Sequence, residues 1–72
     1  MAILDVRSMM AAGNDPFHDI MAAVDALRGD EPLEIVAPFE PVPLYSVMEG
    51  EGFTHKTEGL SDGSWKIVFS RE

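Results

Sequence analysis

The residues best suited to move protons or hold a metal near neutral pH are the two histidines, His18 and His55. His18 has Asp15 three residues before it and Asp19 beside it, and an imidazole among carboxylates is the raw material of a small-ligand or metal-binding sensor. A zinc site would need further ligands from elsewhere in the chain. Because His18 stands one position off the apolar series Phe17, Ile20, Val24, it points to water, and an exposed histidine in a capping turn is the simpler account. His55 shares a strand side with Phe53 and Thr57, which reads as a half-buried sheet position.

Other chemistries lack their parts. Cysteine is absent, which excludes disulfides, thiolate metal clusters, persulfide carriage and cysteine nucleophiles together. Ser8, Ser46, Ser61, Ser64 and Ser70 have no GxSxG context and no linked histidine and carboxylate, so no hydrolase triad is supported. In Glu49-Gly50-Glu51-Gly52 the glycines are flanked by carboxylates that would repel a phosphate. The acidic residues are spread over helix ends and loops as a solubilising surface, not as paired acid and base. Trp65, Ile67 and Phe69 alternate as a core face rather than a platform for stacked bases. Met9-Met10 and Tyr45 leave two readings open, an adaptable partner surface or packing beneath a loop. No catalytic residue, cofactor site or metal ligand is assigned, and the chain is not expected to be an enzyme.

The elements that position these residues follow from periodicity. Ile3 to Arg7 alternates as a first strand, with Leu4 and Val6 on one side. Asp15 is placed to accept a free amide of a first helical turn, and Pro16 suits the first helical position, where no donor is needed. Phe17, Ile20, Met21, Val24 and Leu27 make one apolar stripe, and Gly29 is placed to end the helix in a left-handed cap. Leu33 to Ala37 is a second strand, made parallel to the first by a right-handed crossover. Pro41 and Pro43 introduce a second helix through Leu44, Val47 and Met48, broken by Gly50 and Gly52. Phe53 to Glu58 and Ser64 to Arg71 form a hairpin across residues 59–63. The order is βαβαββ, and the expected fold is an α+β two-layer sandwich: a four-stranded mixed sheet with two helices on one face. Its open face carries polar groups, with Ile3, Val36 and Val68 expected side by side as a narrow aliphatic strip.

At 72 residues, 46% hydrophobic and 25% charged, one domain spanning 1–72 is expected. With 13 acidic against 5 basic side chains the net charge is -8, and Arg7, Arg28, Lys56, Lys66 and Arg71 are scattered singly. Such a surface repels a phosphate backbone and an anionic membrane, so neither nucleic acid nor membrane is an expected partner. MAILDVRSMM has no basic region leading into an apolar run, so no signal peptide is expected. Like charge also opposes self-association, which favours a monomer or a weak homodimer.

Four segments in order, LDVR at Leu4 to Arg7, DPFHDIMAAVDALRGDEPLEIV at Asp15 to Val36, EPVPLYSVMEGEGF at Glu40 to Phe53 and GSWKIVF at Gly63 to Phe69, give the chain a family likeness. It resembles the TusA/SirA-like superfamily, in particular a cysteine-less branch of bacterial domains of unknown function. The resemblance covers essentially the whole chain and implies the same βαβαββ sandwich. Sulfur-carrier members have a cysteine-proline pair between first strand and first helix, where a helix N-terminus favours a thiolate or persulfide. Here that segment runs from Met10 to Pro16; the proline matches and the nucleophile does not.

The expectation is a cytoplasmic, non-catalytic accessory or protein-interaction domain that resembles sulfur carriers without the carrier cysteine. The partner, another protein, is expected to meet the surface formed by Arg7, Asp15, Pro16, His18, Pro43 and Tyr45. The alternative is the sensor built on His18.

Overall fold

A computed structural model describes residues 2–71. The strands are β1 (Ala2–Asp5), β2 (Leu33–Ala37), β3 (Phe53–Gly59) and β4 (Trp65–Arg71), and the helices are α1 (Arg7–Ala11), α2 (Phe17–Ala26) and α3 (Val42–Gly50). The sheet has the order β1-β2-β4-β3, with β1 parallel to β2 and the other neighbours antiparallel. This is the α+β architecture read from the sequence, with one more helix than expected.

Alternation places one set of side chains under the helices. Ala2, Leu33, Phe69 and His55 lie level across the four strands, and Leu4, Ile35, Ile67 and Thr57 form the next row on the same face. Leu33, Ile35, Ile67 and Phe69 are buried there with Ile20 and Val24 of α2 and Leu44 and Met48 of α3. Each such buried side chain contributes about 1.5–3 kcal/mol. On the opposite face, Ile3 and Val68 stand level with Glu34, whereas Val36 stands level with Asp5 and Lys66. The expected aliphatic strip is therefore interrupted: Glu34 separates Ile3 from Val68.

The additional helix corrects the first strand. The Asp5 carboxylate accepts the Arg7 amide at 3.0 Å and the Val6 carbonyl accepts the Met10 amide at 3.0 Å, so the chain turns helical immediately after β1. Arg7 opens α1 instead of ending a strand. Gly13, at φ 83°, then takes a backbone conformation costly for other residues and redirects the chain toward α2.

The Asp15 bond to a first-turn amide is as read, its Oδ1 accepting the Phe17 amide at 2.9 Å, whereas Pro16 stands at the N-cap, one residue before the helix, and its carbonyl accepts the Ile20 amide at 2.9 Å. The far end of α2 differs. Leu27 is extended, with ψ 145°, so the helix stops at Ala26 and the left-handed Gly29 serves the turn into β2. Among the described residues no helix is long and apolar enough to cross a membrane.

Candidate functional site

Two helices begin above the end of the sheet where the parallel strands finish, and they do not close over it. α2 starts just after Asp15 and Pro16, and α3 starts after the loop Pro38-Phe39-Glu40-Pro41. Prolines at 38 and 41 fix φ and remove amide donors, which keeps this loop from folding back into regular structure, and Pro43 sits in the first turn of α3, where no donor is needed. A groove of about 250 Å³ results. Buried Val6, Ile20, Ile35 and Ala37 are among its lining, and Met10, Phe17, Phe39, Pro41, Pro43, Leu44 and Val47 line it as well.

Phe17, Phe39 and Val47 are 47%, 51% and 37% exposed, although all belong to residue types that normally withdraw from water. Phe17 was expected within the core stripe; its position in the first turn of α2 instead carries it to the groove. Asp15 is the one ionisable residue of the lining, and its carboxylate is engaged by the Phe17 amide. A groove so lined suits apolar burial.

The sequence-read surface divides into groove and surroundings. Asp15, Pro16 and Pro43 line the groove; Arg7, His18 and Tyr45 do not. Arg7 is a strut. Its Nε lies 3.0 Å from Asp5 Oδ1 and its Nη2 2.7 Å from Asp5 Oδ2, while Nη1 reaches Asp62 Oδ2 at 3.2 Å and Ser64 Oγ at 3.3 Å. The guanidinium thus ties the end of β1 to the β3–β4 turn. Hydrogen bonds from Arg7 hold the Asp5 carboxyl below the usual carboxylate range. Asp62 is lowered chiefly by the Ser64 amide and hydroxyl, with Arg7 adding a smaller part.

Tyr45 faces β3. Its hydroxyl is 2.6 Å from Thr57 Oγ1 and donates to Glu40 Oε2 at 3.1 Å, and its ring stacks on His55. Burial is the main cause that raises the Tyr45 phenol above its ordinary value; Glu40 adds to this and the Thr57 bond opposes it. Met10 and Tyr45 therefore do not form one surface: Met10 lines the groove, and Tyr45 fastens α3 to the sheet.

His18 is exposed in the first turn of α2. Among the described residues no group of three or more His, Asp or Glu side chains is placed to hold a metal ion, so the grouping of His18 with Asp15 and Asp19 does not close into a ligand set.

Over residues 3–71 the chain matches a family model described as "Uncharacterized conserved protein (DUF2249)". It belongs to the DUF2249 family. No curated protein and no solved structure matches it. The groove of this DUF2249 domain also uses residues that sequence reasoning passed over, chiefly Phe39, Pro41 and Val6. The available signal was Phe39 itself, an aromatic residue in a proline-rich connection with no periodic partner to bury it.

Proposed function

We propose that this DUF2249 domain is a non-catalytic protein-interaction module of the bacterial cytoplasm, related in fold to TusA/SirA-like sulfur carriers and lacking their chemistry. The observation that carries this reading is the open apolar groove, with Phe17, Phe39 and Val47 exposed around it. Burying one leucine- or phenylalanine-sized side chain of a partner in such a groove is worth about 1.5–3 kcal/mol. The lips themselves withdraw from water at the same time.

The TusA-like relationship is supported by the mixed four-stranded sheet with β2 between β1 and β4, and by Pro16 ahead of α2. Where sulfur carriers have a cysteine-proline pair, Pro16 is preceded by Asp15, which caps the helix and cannot carry a persulfide. The module acts as a monomer or weak homodimer, since a net charge of -8 opposes pairing of identical copies.

The test is differential capture from lysate of the source cells by the immobilised domain, its Phe39→Ser variant and its Val68→Lys variant. Proteins held by the wild type and by Val68→Lys but lost from Phe39→Ser support a groove-borne interaction. Capture indifferent to Phe39→Ser overturns it.

A further inference from the structure

Resting on the interaction reading above, we infer that the groove receives an apolar side chain carried on a basic segment of the partner protein. The lining supplies contact area but almost no direction, because apolar surface attracts without orienting. Orientation must come from the surroundings, and there the charge has one sign. Asp15 lies in the lining and Asp19 is exposed in the first turn of α2, while Glu40, exposed between Phe39 and Pro41, has its carboxylate bonded to Tyr45.

No lysine or arginine occurs from Ser8 to Leu27 or from Gly29 to His55. Those stretches hold all of α2 and α3, the loop before α3 and α1 beyond its first residue. Arg7, next to Val6 in sequence, is engaged by Asp5 and Asp62. Among the described residues the groove is thus an apolar hollow whose lining carries one carboxylate, Asp15, and no lysine or arginine to balance an incoming anion. An acyl carboxylate or a phosphate would meet uncompensated repulsion, and a second copy of this chain would bring another net charge of -8.

A leucine, methionine or phenylalanine flanked by lysine or arginine satisfies both features. Its apolar side chain displaces water from Phe17, Phe39 and Val47, while the flanking cations are steered by the net negative charge and meet Asp15 in the lining. Met10, with its flexible thioether, lets the lining adapt to anchors of different shape.

The probes are two synthetic peptides of about 18 residues, long enough to hold a helix when bound. Both carry the same leucine stripe, with lysine at the remaining positions of one and glutamate at those of the other. Amide chemical shifts of the isotope-labelled domain report where each binds. The lysine peptide should shift Phe17, Phe39, Leu44 and Val47, lose about tenfold in affinity for the Phe39→Ser variant, and bind more weakly at about 0.15 M than at about 0.01 M salt. Asp15→Asn, which keeps a side-chain oxygen for the Phe17 amide, combined with Asp19→Asn should also weaken it. The glutamate peptide should leave those amides unmoved.

Failure of the lysine peptide to bind, or shifts confined to the open sheet face and unaffected by Phe39→Ser, overturns the proposal. Groove amides that move with protein concentration alone overturn it in favour of a second copy. Equal entry of the glutamate peptide defeats the basic partner while leaving the interaction reading intact. That reading fails separately, when lysate capture ignores Phe39→Ser.

Discussion

Tyr45 lies flat on His55, with ring centroids 3.8 Å apart and planes within 5° of parallel. Since Tyr45 belongs to α3 and His55 to β3, the pair joins helix to sheet and leaves the opposite flank of α3 free to line the groove. The Tyr45 hydroxyl, bonded to Thr57 and Glu40, completes the fastening.

Because burial and Glu40 favour the neutral phenol, Tyr45 should ionise above the usual value of about 10. Its contribution to stability is present below that value and is lost as pH rises through the higher folded-state pKa. Tyr45 is the sole tyrosine, so ultraviolet difference spectra follow it directly. Glu40→Gln should move the titration down toward the ordinary value, and an unchanged titration would show that Glu40 does not act on it.

Acid should loosen the opposite corner. Asp5 and Asp62 have depressed pKa values in the folded state, so their contribution is present above the ordinary carboxylate pKa of about 3.8 and is lost as pH falls through their lower folded values. Arg7→Gln should flatten this loss, chiefly through Asp5, because Asp62 keeps its bonds from Ser64. Urea midpoints measured across that range decide it; equal slopes in wild type and variant would contradict the strut.

Core and groove should separate by stability. Ile67 is fully buried between Ile35 and Thr57, and Ile67→Ala should cost about 2–5 kcal/mol. Phe39→Ser, at a half-exposed loop residue, should stay within about 0.5 kcal/mol of wild type. Chemical denaturation of both variants checks the contrast, and a large loss in Phe39→Ser would place that ring in the core.

Features held by local rules were legible in the sequence. Alternation placed β2 at Leu33 to Ala37, and the Asp15-Pro16 pair announced the start of α2 through a capping bond that neighbouring residues make on their own. α1 was not legible, because five residues are too few to show a helical period and its start depends on the Asp5 carboxylate turning to the Arg7 amide. The end of α2 was misplaced because Gly29 is left-handed in either arrangement, and only Leu27 decides which one forms. Asp15, Pro16 and Pro43 were found because they sit at helix starts; Phe39 was missed because its place depends on how far apart those starts lie in space.

Sulfur transfer gives a chemical prediction. With no cysteine in the chain, incubation with a persulfide-loaded desulfurase should leave its mass unchanged. An added sulfur removable by reductant would contradict the non-carrier reading.

The groove as the seat of a protein partner is tested most directly by a photo-crosslinking amino acid placed in living source cells at Phe39 and, separately, at Val68 on the open sheet face. Both positions are at least partly accessible, so either can report a neighbour. The expected result is a discrete protein adduct from position 39 and none from position 68. Absence of an adduct at 39, or the same adduct from both positions, would contradict a partner seated between α2 and α3.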